Sequence, residues 1–436
     1  MLKLRWLQVN KFRSVKPGTR LDFHPRYNVL LGQNGTGKTT LLNLVAAVVR
    51  SDFSEFRDVE FSLEYELHSE KGTISVAARN ERRTPPLEAA LGAIRHSPIG
   101  LFALSVENNL QTHAFSAEAT IIFKDATPPL SLSIEESRIA VQLKDRHPSP
   151  QRFEAAISTS DLNLWHTIAL GLIRCAEPLH LSPADLFNSL ISLTQAWTER
   201  FDESLDYFDS LSEFEFTLQR DSDGAVLPVS SSGSLALQLA TELLPAIDSQ
   251  WGKNLYTISS HRLPFLSDAS LLLDFDSAEA SVELQKGDRT EHIDWMTLGN
   301  LKILFTHRSG LRISQKNLSY GQKRMLAFMH YSHTANSIII ADELVNGLHH
   351  GWIHTCIGKF GERQVFLTSQ NPLLLDYLTF NSPEDVRSQF VLCRWEKATA
   401  QMHWENMSQE ASEDFFSSYK VGFQQVGELL QSKGLW

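Results

Sequence analysis

The chain has 436 residues, of which 42% are hydrophobic and 21% charged, the composition of an ordinary soluble globular protein rather than a disordered or fibrous one. Its formal net charge of −11 argues against a protein that coats nucleic acid with its whole surface, although a local basic groove is compatible with it. The sequence has no long uncharged apolar run, its N-terminus is charged where a signal peptide is apolar, and its three cysteines are far apart. These features predict a cytoplasmic protein with no membrane span and no disulfide framework.

Residues 1–150 are predicted to form strands and one buried helix. Alternation over residues 4–9 predicts a strand, and the short apolar run 27–31 predicts a buried strand that stops at a glycine loop. The largely apolar segment 39–49 follows and predicts a buried helix. Alternating apolar and polar residues over 61–67 predict a half-exposed strand, with further strands of the same mixed sheet at 73–78 and 119–123.

The middle of the chain has a different pattern. Between residues 151 and 250, segments such as 161–175 and 183–208 have apolar residues at three- and four-residue spacing, and 234–247 is a further predicted helix. The region is therefore predicted to be a helical insertion without sustained heptads. After about residue 300 strands and helices alternate again, with buried strands predicted at 337–341 and 364–368. The sequence therefore predicts an N-terminal lobe at 1–150, a helical insertion at 151–250 and a C-terminal lobe at 251–436.

The glycine loop carries the strongest motif. Gly32-Gln-Asn34-Gly35-Thr36-Gly37-Lys38-Thr39 fits the pattern G-x-x-x-x-G-K-[ST] between a predicted strand and a predicted helix. Glycines let backbone N–H groups curl around phosphates, and the helix N-terminus adds the positive end of its dipole. Lys38 is predicted to reach the β- and γ-phosphates of ATP and Thr39 to bind Mg²⁺, with Asn34, Gly35, Thr36, Gly37 and Thr40 completing the phosphate site.

A second motif follows a buried strand. In Ile338-Ile-Ile-Ala-Asp342-Glu343 an apolar strand ends in two carboxylates, as a Walker B site requires. Asp342 is predicted to hold Mg²⁺ through water, and Glu343 is predicted to polarise the attacking water. Many buried strands end in acids, so the motif gains its weight from its position in the chain.

That position is set by Leu318-Ser319-Tyr320-Gly321-Gln322, which resembles the LSxGQ signature of ABC ATPases. Ser319, Gly321 and Gln322 at a helix start predict an anion-binding N-terminus. In ABC ATPases this element completes the nucleotide site of a second chain, so the resemblance implies a homodimer or higher homo-oligomer closed around two ATP·Mg²⁺. The order of P-loop, signature and acidic strand is the ABC order.

The chain resembles the RecF and SMC side of the ABC ATPases, and most closely the OLD-like ATPases of bacterial defence systems. The resemblance implies an α/β fold: an ABC-ATPase head with a mixed or parallel P-loop sheet, an antiparallel β subdomain and a helical insertion. Arg13 matches an N-terminal loop that contacts the nucleotide in these families, and residues 343–349 resemble their D-loop. The long interval between Thr39 and Leu318 disfavours the ATP-binding subunit of a membrane transporter.

Two departures from the family pattern matter. Gln370 stands where a switch histidine is expected; an amide can hydrogen-bond a phosphate or water but cannot carry the proton, which predicts intact nucleotide binding and slow hydrolysis. Gln111 is a candidate for the Q-loop glutamine. The residues after Glu343 show no second cluster of acids like that of the OLD nucleases, so any nuclease or toxin is expected to be a separate partner protein.

Alternatives remain open at this stage. His349, His350 and His354 form a metal site or, as the D-loop interpretation explains better, belong to the turn and helix after Walker B. For the whole chain, the main hypothesis is an ATPase that controls a partner effector or a nucleic-acid transaction in bacterial antiphage defence. The alternatives are a RecF-like DNA-repair ATPase that binds DNA directly and a poorly hydrolysing, nucleotide-gated scaffold.

Overall fold

A computed structural model describes residues 1–70, 72–83, 112–123, 130–135, 138–143, 152–156, 200–213, 215–220, 226–231, 253–289, 294–335, 337–369, 371–422 and 424–435. The chain divides into two compact units. The first contains Met1–Thr198 and Glu362–Trp436, and the second contains Glu199–Gly361. None of the helices in these described ranges is long and apolar enough to span a membrane.

Strands and helices are numbered here in chain order. The strands are β1 Lys3–Phe12, β2 Thr19–Asp22, β3 Tyr27–Leu31, β4 Phe61–Ser69, β5 Gly72–Arg83, β6 Thr112–Phe123, β7 Leu130–Glu135, β8 Arg138–Leu143, β9 Arg152–Ala156, β10 Glu215–Arg220, β11 Val226–Ser231, β12 Leu255–Ser259, β13 Ser277–Arg289, β14 Asp294–Thr306, β15 Arg312–Ser314, β16 Ile338–Ala341, β17 Gln364–Thr368, β18 Phe390–Glu396 and β19 Gln401–Asn406. The helices are α1 Lys38–Arg50, α2 Phe201–Asp209, α3 Pro264–Leu272, α4 Tyr320–Thr334, α5 His350–Phe360, α6 Pro372–Leu375, α7 Pro383–Gln389, α8 Gln409–Val421 and α9 Val426–Ser432.

The first unit holds a large antiparallel sheet in the order β2-β1-β4-β5-β6-β7-β8-β9. Its strand β4 alternates buried and half-buried residues, because one face of a strand packs on the core while the other meets solvent. Phe53, Phe61 and Phe115 pack against one another on the buried face, with ring centroids 5.1 to 6.3 Å apart. This sheet is the predicted antiparallel subdomain, and it contains the strands expected in a mixed sheet at 73–78 and 119–123.

A second sheet of this unit carries the glycine loop. Strand β3 lies between β17 and β18 and is parallel to both, and β19 is antiparallel to β18. All five residues of β17 and four of the five in β3 are buried, as expected for strands covered on both faces. Helices α8 and α9 contribute Phe415 and Leu430 to the core beneath this sheet. The sheet is mixed, as predicted.

The second unit contains the sheet β11-β10-β14-β13-β12, with β15 added to β14. Helix α4 is its central helix, buried between α2 and α3: Phe201 packs on Phe328 and Phe265 on His330, with ring centroids 6.1 and 5.1 Å apart. Burial lowers the pKa of His330 to about 3, so the ring is neutral within this core. Tyr331 ties α4 to β16, because its hydroxyl accepts a bond from the Ile340 N–H at 2.8 Å and donates to the Ile340 carbonyl.

The predicted mixed α/β fold with several sheets is confirmed. Within the described part of the predicted helical insertion at 151–250, α2 is a helix as expected, whereas β9, β10 and β11 are strands. Strands β10 and β11 extend the sheet of β12–β14. Apolar and polar residues alternate along β10, which is a strand pattern within a region assigned as helical. The other predicted helices of that segment lie outside the described residues, and the three-lobe division stays a prediction.

Candidate nucleotide-binding site

Glycine geometry shapes the loop between β3 and α1. Gly32, Gly35 and Gly37 have φ angles of +147°, +81° and +88°, in a region that side chains disfavour. A Cβ on Gly32 would lie 2.1 Å from the Cys393 carbonyl oxygen, and one on Gly37 would lie 2.3 Å from Met402 Sδ. Two of the motif's glycines are therefore required by close packing against the β18–β19 hairpin as well as by backbone conformation.

The loop leads into a helix start suited to an anion. The first helical bond of α1 runs from Leu41 N–H to the Gly37 carbonyl, so the N–H groups before Leu41 point out of the helix end. No acidic residue lies in the first turn. Lys38 Nζ folds back over the loop and donates to the carbonyls of Gly32 at 2.7 Å and Gln33 at 2.9 Å. An ammonium group thus lies at the loop beside outward-pointing N–H groups, the combination that binds phosphates.

The predicted loop side chains have different surroundings. Asn34 and Thr39 are exposed and Thr40 is half-buried, so the first two reach the solvent side of the loop. Thr36 is buried, and its hydroxyl donates to the Gln33 carbonyl at 2.7 Å. The Thr36 side chain therefore stabilises the loop itself, and the phosphate contact predicted for Thr36 is left to its backbone N–H group.

Behind the loop lie residues that sequence reasoning missed. Trp404 is 3% exposed, and its Nε1 would be 3.2 Å from a Cβ on Gly37. Among the described residues this indole N–H has no hydrogen-bond partner. Burial raises the pKa of the neighbouring Cys393 thiol to about 12, with Lys38 opposing the shift, so the thiol is neutral. These residues brace the loop, and no local sequence pattern marks them.

Arg13 lies in the loop after β1, in the same unit as the P-loop. Its φ angle is +46°, and its guanidinium lies 5.3 Å from the Phe12 ring centroid and 5.6 Å from that of Phe56. The side chain is exposed and has the charge to meet an anion. Gln370 and Gln111, the predicted switch and Q-loop residues, lie outside the described residues.

In the second unit, the signature motif forms a capped helix start. The Ser319 hydroxyl accepts a bond from the Gln322 N–H at 3.4 Å, and the Gln322 side chain accepts from the Ser319 N–H at 2.9 Å. This capping box begins α4 and places the Gln322 amide within the cap. A Cβ on Gly321 would lie 2.9 Å from the Gly347 carbonyl oxygen, so the signature glycine permits the D-loop turn to pack closely. The exposed Tyr320 ring lies against Gly347 on the same side.

The acidic strand end lies in the same unit as the signature. Strand β16 is entirely buried and ends at Ala341, and Asp342 and Glu343 follow as half-buried residues. Glu343 has φ +47°, a conformation that strains a residue with a Cβ by about 1–3 kcal/mol. Such strain persists where surrounding contacts fix the backbone. The buried strand therefore presents both carboxylates from a rigid position.

Arg324 supplies those contacts from the signature helix. Its buried guanidinium donates to the carbonyl of Leu344 at 2.9 Å, of Glu343 at 2.6 Å and of Asp342 at 3.3 Å. It also donates to the Tyr320 hydroxyl at 3.3 Å and lies 4.9 Å from the Phe201 ring centroid. The Arg324 guanidinium thus joins the signature helix to the acidic strand, because its planar group has enough N–H donors to reach all three carbonyls.

Asp202, at the start of α2, is a further acid near this strand end. Burial and the negative charge of Asp342 raise its pKa to about 6, and the cations Arg200 and Arg324 oppose the shift. Sequence reasoning did not single it out, because α2 lies far from β16 along the chain and carries no motif.

The histidines after the acidic strand serve the turn and the helix. His349 caps α5, accepting a bond from the Gly351 N–H at 3.3 Å through Nδ1. Within the described part of the chain, no group of three or more His, Cys, Asp or Glu residues is arranged to hold a metal. His349 is therefore the N-cap of α5, and the D-loop interpretation of this segment stays a prediction.

The site residues fall into two groups. The P-loop residues and Arg13 belong to the first unit, and the signature residues, Asp342 and Glu343 belong to the second. Contacts within each unit hold each group in place. The β18–β19 hairpin packs against the P-loop, and Arg324 joins the signature helix to the acidic strand.

Comparisons with known proteins match both groups. One family model, described as "AAA domain", matches residues 7–112, and another, described as "AAA domain, putative AbiEii toxin, Type IV TA system", matches residues 172–376. The first stretch contains the P-loop, and the second contains the signature and the acidic strand. No curated protein matches the chain.

Solved structures similar to the chain include heads of SMC proteins. An SMC head bound to the C-winged helix domain of ScpA has 10% identity and a TM-score of 0.41, over 93% of this chain and 98% of that one. The SMC head from Thermotoga maritima has 9% identity and a TM-score of 0.35, over 93% and 99%. The recombination mediator RecF with a bound ATP analogue has 12% identity and a TM-score of 0.28, over 93% and 98%. These values are too low to carry an argument about function.

The family models and the motifs agree. Both models describe AAA domains, and each covers one of the two motif groups described above. The chain is similar to AAA-domain proteins over these two stretches, in agreement with the ATPase motifs predicted from its sequence.

Proposed function

We propose that this protein binds ATP·Mg²⁺ and hydrolyses it as a homodimer or higher homo-oligomer, and that nucleotide-driven closure controls a separate effector protein in bacterial antiphage defence. The observation that carries the proposal is the P-loop. Three glycines with positive φ lead into the outward N–H groups of α1, and Lys38 lies over the loop. This arrangement has the chemistry of a triphosphate site.

The magnesium ion is assigned to hard oxygen ligands. The exposed Thr39 hydroxyl lies in the first turn of α1, and the Asp342 carboxylate follows a buried strand. Hydroxyl and carboxylate oxygens are the protein ligands that Mg²⁺ prefers, so the residues fit the ion. When bound, the ion neutralises charge that develops on the phosphates.

The protein's own residues perform the remaining tasks. Lys38 orients the β- and γ-phosphates, and Arg13 adds positive charge from the loop after β1. Glu343 accepts a hydrogen bond from the attacking water and holds it for attack. Gln370 orients the γ-phosphate or the water as a neutral amide, and because an amide cannot take up and release a proton as histidine does, turnover is slow.

Dimerisation is supported by the signature helix. Ser319 and Tyr320 are exposed at the N-terminus of the 15-residue helix α4, and Tyr320 is 63% exposed. A helix start stabilises a phosphate through its N–H groups and dipole. We assign Ser319, Gly321 and Gln322 to the γ-phosphate held by a second copy of the chain, as the ABC resemblance implies.

The defence role is supported by the second family model, whose description names a toxin–antitoxin system. The effector is proposed to be a separate nuclease or toxin, since the ATPase residues account for the motifs found in this chain. Cytoplasmic localisation belongs to the same proposal.

Turnover and assembly test the ATPase proposal together. Steady-state phosphate release should fall to background in E343Q, while wild type is slow but measurable and the surface control E410Q is unchanged. ATP affinity should be lost in K38A and kept in E343Q.

Light scattering should show E343Q as a dimer with ATP and as a monomer without it. Equal rates in wild type and E343Q, both at background, would favour the non-hydrolysing scaffold.

Direct DNA binding distinguishes the RecF-like alternative. Fluorescence anisotropy with duplex DNA at low and moderate salt would measure it on the ATP-bound E343Q protein. Affinity that falls steeply with salt would support a DNA-repair ATPase, because phosphate contacts release counterions. No binding at low salt would leave the effector hypothesis.

A further inference from the structure

We infer that Asn346, a residue outside the three motifs, is a positioning residue for Glu343. The inference rests on the proposed hydrolysis, in which Glu343 holds the attacking water. Asn346 Nδ2 donates to Glu343 Oε2 at 2.7 Å, so the amide fixes one oxygen of the carboxylate. A carboxylate has a second oxygen with which to accept a hydrogen bond from water.

The backbone of Glu343 is fixed separately. Arg324 donates to the carbonyls of residues 342, 343 and 344, which holds the strained main chain in place. A glutamate side chain nevertheless has three rotatable bonds, and ordering it costs rotamer entropy. Main-chain contacts cannot choose among its rotamers, whereas a donor to Oε2 can. The Asn346 amide therefore fixes the Glu343 carboxylate, while Arg324 fixes the Glu343 main chain.

Asn346 is itself held in a compact turn. Its N–H donates to the Glu343 carbonyl at 3.0 Å, and the Leu348 N–H donates to the Val345 carbonyl at 3.1 Å. Leu344 and Val345 are buried and anchor the turn in the core. The amide is thus presented to Glu343 by local structure.

The signature helix limits how the turn can move. Gly347 has φ +73°, and a Cβ there would lie 2.9 Å from the Tyr320 ring. The turn residue beside Asn346 therefore packs directly against the variable position of the signature. Because the signature is where the second chain's nucleotide is proposed to bind, the orientation of Glu343 depends on residues at that same surface.

The chain offers a closely matched control for this contact. Asn300, also in the second unit, donates from Nδ2 to Glu283 Oε2 at 2.6 Å, and Lys302 Nζ donates to the other oxygen of Glu283. N300D and N346D each remove an amide donor from a glutamate and add a like charge without changing side-chain volume. Only the second pair includes the proposed base.

The test compares N346D, N346A and N300D with wild type. In phosphate release, N346D and N346A should lower kcat by about tenfold or more, because a misplaced base loses its alignment with water. ATP affinity and the mass of the ATP-bound assembly should stay as in wild type, and N300D should match wild type throughout. N346D in the E343Q background should cause no further loss of turnover.

Specific results would overturn the inference. If wild type turns over, E343Q does not and N346D keeps the wild-type kcat, Asn346 does not position the base while the proposed function stands. If N346A loses ATP-dependent assembly along with kcat, its role is at the interface instead. If wild type and E343Q are alike at background, the proposed hydrolysis fails and the role of Asn346 fails with it.

Discussion

Replacing a P-loop glycine by alanine is expected to lower stability in two ways. Backbone strain applies at both Gly35 and Gly37, whereas overpacking applies at Gly37 alone. Gly35 has φ +81° with no atom within 4 Å of a Cβ, whereas Gly37 has φ +88° with Met402 Sδ 2.3 Å from one. Both substitutions strain the backbone by about 1–2 kcal/mol, the cost of a left-handed residue with a Cβ. G37A adds overpacking of about 1–3 kcal/mol, because Met402 and Trp404 must shift.

Urea unfolding of G35A, G37A, M402A and G37A/M402A measures both contributions. G37A should be less stable than G35A by about 1–3 kcal/mol. In the double variant the shorter side chain leaves room for the added methyl group, so the two changes should be less than additive. Equal losses in G35A and G37A, with additive effects in the double variant, would refute the proposed packing of the loop against the β18–β19 hairpin.

Three further predictions concern the second unit. R324M should lose roughly 3 kcal/mol of unfolding free energy and nearly all turnover, since three carbonyls lose a charged donor, and R324K should restore little; urea unfolding and phosphate release measure this. S319A should lose about 1 kcal/mol in urea unfolding, because the cap of α4 is removed. Burial by itself raises the pKa of Asp268, but hydrogen bonds from Lys359 and His333 outweigh it and lower that pKa. The ionised carboxylate therefore adds stability above its unfolded pKa of about 3.9 that is lost as pH falls through the lower folded value, so D268N should show a smaller drop in urea midpoint on acidification.

The functional elements differ in how visible they are from sequence. The P-loop, the signature and the acidic strand are contiguous motifs, and each depends on local structure: glycine conformations, a helix cap and a buried strand end. Their positions in β3–α1, α4 and β16 are as predicted. The helical assignment of 151–250 was wrong at β10 and β11: β10 pairs with β14, and its short alternation of apolar and polar residues is a strand pattern that was not separated from the longer helical segments around it.

The sequence by itself indicated which groups are predicted to bind phosphate and where the two adjacent acids lie, because each motif lies within a few consecutive residues. The tertiary structure decided what holds them. Met402 and Trp404, far from the P-loop in sequence, pack against Gly37. Arg324 donates hydrogen bonds to the carbonyls that follow β16, and Asn346 donates to the Glu343 carboxylate. The contacts of Gly37 and of Arg324 join residues that are far apart in the sequence, so they depend on which elements pack together, and no local pattern records that.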